Sequence, residues 1–338
     1  MKPTESLYLG VDVGGTKVAA GLVTSRGEIL SKVRVPMTSR EDGAAGLRAV
    51  ERAIDAAFAA EPARKTSVVG IGVVSPGPVD PLQGIVVNPG NLPCWRNYPL
   101  VAEIKKSRGL PTILDNDANA AALAEAQWGA AAGYSSVFYA TIGTGIGTGI
   151  VLNGSIYHGR TGAAGEGGHV SIDYHGPPCP CGKRGCIEVL AAGPAVARRS
   201  RERLEAGGIE SRTLLALAGG NPSTVTAEVV AKAWRDGDPL ATAILEETSD
   251  LLAIWLGNMI DLFDPDVIVV GGGMSELIAD WFERIRQQVP KWSVNSRWGE
   301  IPFVRAQYGE DSGIVGAAAL CTSVKATCRI VSASISTP

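Results

Sequence analysis

The sequence contains no block of five or six like charges, no apolar stretch long enough to cross a bilayer and no signal-peptide pattern. Each absence removes a class of function. With a formal net charge of −3 and no basic run, the chain has no field that would draw nucleic acid. The most apolar segment, Leu251 to Phe263, is interrupted by Asn258 and Asp261 and falls short of the roughly 20 residues a membrane helix needs. It is expected to be a buried helix, and no membrane partner is expected. Cysteine is sparse, and Cys94, Cys321 and Cys328 are scattered, as suits a reducing cytoplasm. Histidine is scarcer still. His158 and His175 have no partners at ligand spacing and read as surface or loop residues.

The remaining histidine and cysteines are clustered. Cys179, Cys181 and Cys186 follow Glu166-Gly167-Gly168-His169 by about ten residues, with Glu188 just beyond. Three thiolates and one imidazole suit a closed, tetrahedral Zn²⁺ that organises backbone and leaves no position for a reacting water. Gly182 and Gly185 permit the tight reversals such convergence needs. A disulfide within the set would leave an odd thiol, so a structural zinc bound by His169, Cys179, Cys181 and Cys186 is the favoured reading.

What the chain has in excess is glycine, 42 of 338 residues, alongside 45% hydrophobic content, enough for two packed domains with many close backbone approaches. Leu7 to Val13, Val18 to Val23 and Glu28 to Val35 read as an antiparallel meander. Its first turn, Asp12-Val13-Gly14-Gly15-Thr16-Lys17, sets a carboxylate, exposed amides and a hydroxyl at a strand end, a suitable cradle for a polyphosphate with Mg²⁺. It is not a Walker loop, because the order is Thr-Lys and a strand pattern follows where a helix must start. Ser136 to Ile142, the run Gly143-Thr144-Gly145-Ile146-Gly147-Thr148-Gly149 and the apolar Ile150 to Leu152 repeat the strand, glycine turn, strand device. No Gly-x-Gly-x-x-Gly is present in that run, so a dinucleotide fingerprint is not supported. A third turn, Gly271-Gly272-Gly273, ends the strand Val267 to Val270 ahead of a helical pattern over Glu276 to Gln288, where bare backbone suits a flat adenine or ribose.

The strand Pro111 to Leu114 and the helix Ala118 to Trp128 meet at Asp115-Asn116-Asp117. Helix capping accounts for one of these polar side chains, not three. A carboxylate near a helix N-terminus stays ionised and suits proton acceptance from a hydroxyl that attacks a γ-phosphate, and Asp117 is the favoured base. The stretches Asp42 to Phe58, Leu190 to Leu204, Thr226 to Trp234 and Pro239 to Phe263 carry apolar residues at helical spacing and are read as core or subunit interface. Trp234, Trp255, Trp281, Trp292 and Trp298 are expected to pack.

Taken in order, Asp12-Val-Gly-Gly-Thr-Lys17, Asn116-Asp-Ala-Asn119, Gly165-Glu-Gly-Gly-His169, Cys179-Pro-Cys-Gly-Lys-Arg-Gly-Cys-Ile-Glu188 and the Gly271 to Gly273 turn resemble the ROK family of bacterial sugar kinases and repressors, from about Leu7 to about Leu320. The resemblance implies an α/β, two-domain actin-like or ribonuclease H-like ATPase fold with a central cleft. Residues 1–117 plus about 305–338 are expected to form the smaller lobe, and 118–304 the larger lobe carrying the zinc loop. By the same analogy Asp117 is the general base. Asn91, Asn116, Glu166, His169 and Glu188 face sugar hydroxyls, and Asp12, Gly14, Gly15, Thr16, Lys17, Thr144, Gly145, Gly147, Gly271, Gly272 and Gly273 receive ATP. Gly167, where the family commonly has a bulky aliphatic, and Ser75, where an apolar residue is expected, depart from the pattern.

These implications make an ATP-dependent kinase acting on the 6-hydroxyl of a hexose the expected activity, with Mg²⁺ accompanying ATP. Glucose is the expected substrate, and N-acetylmannosamine, N-acetylglucosamine or fructose the alternatives. A sugar-responsive regulator of the same family is less expected, since the first strand near Leu7 leaves no room for a winged-helix domain and no basic recognition helix is seen elsewhere. A cytoplasmic homodimer or higher homo-oligomer is expected.

Overall fold

The computed structural model describes residues 6–207, 209 and 211–333, without the side chains of 63 and 323–333, so Cys328 lies outside the described side chains. The chain divides into two compact units. One comprises Met1–Tyr139, Gly149–Gly165 and Gln307–Pro338, and the other Ala140–Thr148 and Glu166–Ala306.

In the first unit, β1 (Leu7–Val13), β2 (Lys17–Thr24) and β3 (Ile29–Pro36) form the expected antiparallel meander, with Leu7 opposite Thr24 and Val13 opposite Val18. After α1 (Gly43–Ala60), capped by Asp42 through the Ala45 amide, β4 (Val68–Ser75) runs parallel to β1. The short pair β5 (Val79–Asp80) and β6 (Ile85–Val86), α2 (Leu100–Arg108) and β7 (Thr112–Asn116) follow, giving the sheet order β3-β2-β1-β4-β7. From β7 the chain passes directly into α3 (Asp117–Trp128) and then to β8 (Ser136–Ile142), β9 (Ile146–Leu152) and β10 (Ser155–Ile156).

The second unit adds α4 (Ile187–Ala191), α5 (Gly193–Ala206), α6 (Arg212–Leu217), α7 (Ala227–Arg235) and α8 (Pro239–Phe263). It continues through β11 (Val267–Gly271), α9 (Ser275–Ala279), α10 (Phe282–Gln288) and β12 (Phe303–Arg305), and the chain's second five-stranded sheet has the order β10-β9-β8-β11-β12. The chain then returns to the first unit as α11 (Ser312–Ala333).

The first sheet is apolar along its central strands because both of its faces are covered. Leu9, Val11 and Val13 pack with Val50, Ala53 and Ile54 of α1 on one face, while Tyr8, Ala19 and Val23 meet Ile314, Ala318 and Cys321 of α11 on the other. Glycine sets how closely α11 approaches. A Cβ at Gly10 would overlap the Ile314 carbonyl, and one at Gly72 the Ala317 carbonyl, so β1 and β4 carry bare backbone where the helix lies down. Helix α3 packs on α11 and β7, so the first unit continues past residue 117, where the sequence placed a lobe boundary.

Some elements are shorter than periodicity suggests. The pattern over 190–204 resolves into α4 and α5, separated by an extended Ala192, with Pro194 in the first turn of α5 where its missing N–H is harmless. The pattern over 276–288 is likewise broken, at Asp280 and Trp281, whose indole sits against Trp234 at 5.4 Å. The glycine run after β8 is a turn only through Gly145. Gly147 and Gly149 belong to β9, and Gly149 faces the Ala118 carbonyl of α3 so closely that a Cβ would stand 2.6 Å from it. Among the described residues, no helix is long and apolar enough to cross a membrane.

Candidate functional site

In the first unit the β1–β2 turn presents Asp12, Gly14, Gly15, Thr16 and Lys17. Gly14 donates to the Lys17 carbonyl at 2.9 Å, closing the turn and leaving Thr16 and Lys17 exposed. Burial raises the Asp12 carboxyl above its ordinary range, opposed by the charges of Lys17 and Arg34. Its carboxylate lies against Gly313 in the first turn of α11, where a Cβ would overlap it. Gly15 is equally constrained, because a Cβ there would stand 2.6 Å from the Asn91 carbonyl. The structure therefore brings Asn91 to the first glycine turn. Its loop is anchored beside the exposed Asn91: Leu92 and Trp95 are buried, the Trp95 indole donates to the Gly43 carbonyl at 3.0 Å, and the Cys94 amide donates to the Ser39 carbonyl.

At the β7–α3 junction the three polar residues separate by burial. Asp115 is buried. Its Oδ1 accepts from the Asn116 amide at 2.7 Å and from Asn119 Nδ2 at 3.1 Å, and its Oδ2 meets His158 Nε2 at 2.6 Å. Asn116 is the cap, its Oδ1 accepting from the Ala118 and Asn119 amides. Asp117, the first residue of α3, is exposed, and its Oδ1 accepts from the Ala118 amide at 2.8 Å. His158, read from sequence as a partnerless loop residue, is instead half-buried in this cluster, and the hydrogen bond to Asp115 raises its pKa. Its partner lies 43 positions away, so no local spacing signalled the pair.

In the second unit His169, Cys179, Cys181 and Cys186 offer four ligand atoms that all lie within 4.8 Å of one another, and this cluster could hold a metal ion. Cys179 Sγ is 3.6 Å from His169 Nδ1, and Cys181 Sγ is 3.7 Å from Cys186 Sγ. These separations approach the edges of a tetrahedron with metal–sulfur bonds of about 2.3 Å, so the residues fit a four-coordinate ion. Burial pushes the Cys186 thiol up to about 12, so an ion taking it as thiolate must release its proton. With Nδ1 toward the thiols, His169 Nε2 lies 4.0 Å from the exposed Glu166 carboxylate. The turn carrying these two residues is fixed through Gly167. Its amide donates to Thr148 Oγ1 at 2.8 Å and its carbonyl accepts from the buried Trp255 indole at 3.0 Å. Trp255 packs as expected, but its orienting bond to this turn could not be read from spacing, and neither could that of Thr148.

The other two glycine turns are neighbours in the same unit. Met274 donates to the Ile142 carbonyl at 2.9 Å, and Gly272, in the left-handed region at φ 87°, leaves no space for a Cβ beside Ile142. Gly143, Thr144 and Gly273 line a cavity of about 440 Å³ together with Gly193, Arg201 and Glu228. The Thr226 hydroxyl holds the Glu228 carboxyl below its ordinary range, so the wall carries one charge of each sign. Gly271 ends β11, buried, and Gly147 lies within β9. Glu188, near the start of α4, accepts from the Ile146 amide through Oε2 at 2.9 Å, which places its carboxylate beside Gly145.

Two five-stranded sheets, each with a glycine turn between neighbouring strands, and a four-ligand Cys/His cluster define an α/β protein built on repeated glycine-turn hairpins. Comparison with known proteins agrees: the ROK family profile matches residues 8–324, and the chain belongs to the ROK family. It is 36% identical to a glucokinase of Thermotoga maritima over 92% of this chain and 96% of that one. It is 34% identical to a glucokinase of Streptomyces coelicolor over 93% and 97%. Among solved structures, a ROK family glucokinase from Streptomyces griseus, in complex with glucose and AMPPNP, superposes with a TM-score of 0.78 at 34% identity, covering 93% of this chain and 99% of that one. The expected actin-like, two-domain α/β fold is borne out.

Proposed function

We propose that this chain is an ATP-dependent hexose kinase that transfers the γ-phosphoryl group to the 6-hydroxyl of glucose. The observation that carries the reading is the exposed carboxylate of Asp117, set beside a buried Asp115 and a capping Asn116, in a chain similar to glucokinases over more than nine-tenths of its length. In this reading Asn91, Asn116, Glu166, His169 and Glu188 hold the sugar. Each offers an acceptor or paired donor to a hydroxyl that needs both, which penalises an epimer that leaves one group unpaired.

Asp117 takes the proton of the 6-hydroxyl as that oxygen bonds to the γ-phosphorus, and the bond from phosphorus to the β–γ bridging oxygen breaks to release ADP. The Gly14 amide closes the first turn on the Lys17 carbonyl, and the amides of Gly15 and Thr16, with those of Thr144 and Gly145, donate to phosphate oxygens; Lys17 supplies positive charge, and Gly271, Gly272 and Gly273 leave bare backbone beside the nucleotide. Gly147, being within β9, contributes through its strand position. Asp12 is the carboxylate that would hold the Mg²⁺ accompanying ATP, which would supply neutralisation of phosphate charge. His169, Cys179, Cys181 and Cys186 would hold a structural Zn²⁺, which would fix the orientation of the imidazole, and the His169 ring nitrogen away from Cys179 would be left for the sugar. We place the protein in the cytoplasm as a homodimer or higher homo-oligomer.

A coupled ADP-release assay across glucose, mannose, fructose, N-acetylmannosamine and N-acetylglucosamine tests the reading. Glucose is expected to give the highest kcat/KM. Release of ADP with none of these sugars would overturn it, and a preference for an N-acetylhexosamine would move the substrate while keeping the chemistry.

A further inference from the structure

Glu188 has a contact that a sugar ligand does not need. Its Oε2 accepts from the Ile146 amide at 2.9 Å, at the point where the Gly143–Gly145 turn enters β9. The turn itself is closed by a bond from the Gly143 amide to the Gly145 carbonyl at 2.9 Å. Its other arm is held from the same stretch of chain, because the Gly193 amide donates to the Gly143 carbonyl at 2.8 Å. Residues 188 and 193 thus grip opposite arms of one turn. The short helix between them is tied to Glu188 as well, the Ala192 amide donating to the Glu188 carbonyl at 3.1 Å.

The identity of residue 145 follows from this grip. A Cβ at Gly145 would stand 2.6 Å from Glu188 Oε2, so the carboxylate occupies the space a side chain would take. An anion beside a phosphate turn repels the phosphate it is meant to receive. Glu188 is therefore poorly placed as a nucleotide ligand and well placed as a backbone brace. A charged acceptor makes that brace a stronger hydrogen bond than a neutral one.

We propose that Glu188 is a positioning residue for the Gly143–Gly145 turn, holding it in the form that receives ATP through the Ile146 amide. The proposal rests on the kinase reading, in which that turn meets phosphate. It gives one residue of the sugar set a direct mechanical hold on the nucleotide side of the site, within a single unit of the protein.

The test is calorimetric titration of magnesium-AMPPNP, with no hexose present, into the parent and into Glu188→Gln, Glu188→Asp and Glu188→Ala. Glutamine keeps an acceptor oxygen at the same reach and is expected to bind the analogue within about twofold of the parent, even as its KM for hexose rises. Asp is one methylene too short and Ala has no acceptor, so both are expected to bind about tenfold more weakly. If the Ala variant does not fold, the Asp variant carries the comparison. A residue that only contacts sugar would leave nucleotide affinity unchanged in every variant, and that result overturns the proposal. A parent that fails to bind the analogue overturns the kinase reading itself, and the proposal with it.

Discussion

Asp115 Oδ2 and His158 Nε2 are 2.6 Å apart, joining the residue before the α3 cap to the loop after β10. The carboxylate is buried and the imidazole about a quarter exposed. The hydrogen bond raises the His158 pKa, so its charged form is favoured by folding. The stabilisation this gives is fully present below the unfolded value of about 6.5 and is lost as pH climbs through the raised folded value. His158→Gln is expected to lower stability by about 1–2 kcal/mol at pH 6 and by less at pH 8.5. Denaturant melts of both proteins at the two pH values check this, and an equal gap at both would remove the charge from the account.

Asp117→Asn is expected to lower kcat by roughly 10²- to 10⁴-fold while hexose affinity stays within a few fold. Asparagine fills the same volume and still bonds a hydroxyl, but it cannot take the proton. Steady-state kinetics with saturating ATP, paired with sugar binding, separate the two effects. Near-parental turnover would point to a different base.

The Cys/His cluster predicts one zinc per chain by elemental analysis. Cys181→Ala is expected to lose the metal and to weaken hexose binding at least tenfold, because the ring orientation of His169 depends on the ion at Nδ1. Active protein that contains no metal after careful purification would contradict this.

Gly15→Ala is expected to destabilise the first unit by about 1–3 kcal/mol, since the new methyl meets the Asn91 carbonyl backbone, not a side chain that can turn away. The shift moves Asn91, so the KM for hexose is expected to rise. A variant with parental melting temperature and parental KM would show that the loop yields at no cost.

Glu125 is fully buried, its Oε2 accepting from the Ala130 amide and its Oε1 from the amides of Gln307 and Tyr308. Glu125→Gln would turn one of those acceptors into an N–H facing an N–H, at an expected cost of about 1–3 kcal/mol. Thermal unfolding reads it directly, and an unchanged midpoint would mean the amide side chain finds another acceptor.

The strands and glycine turns of the first sheet were legible because alternation and turn chemistry are local. Val13 to Val18 reads as a hairpin from six residues alone, and the meander is where the sequence placed it. The ligand cluster was legible for the same reason, its cysteines lying seven positions apart at most. What was not legible depends on distant neighbours. Gly10 and Gly72 look like weak points in strands until α11, some 240 to 300 positions later, is laid across them. The break at Trp281 has no proline or glycine to announce it, and the ring that Trp281 packs against, Trp234, lies in another helix. His158 was misread because its partner is in another element. Gly147 was assigned to a turn because glycine chemistry outweighed an alternation that β9 in fact continues.

The seating of α11 on Gly10 and Gly72 has a consequence for biosynthesis. The strands that open the chain have one of their faces finished by residues made near its end, from Ser312 onward. Until α11 is made, Tyr8, Ala19 and Val23 have Ile29 and Trp128 against them but lack the cover that Ile314, Ala318 and Cys321 provide. The nascent chain therefore carries an incompletely covered sheet face until α11 is made, ample time for a chaperone to bind, and a ribosome stalled before α11 would release a product open to aggregation.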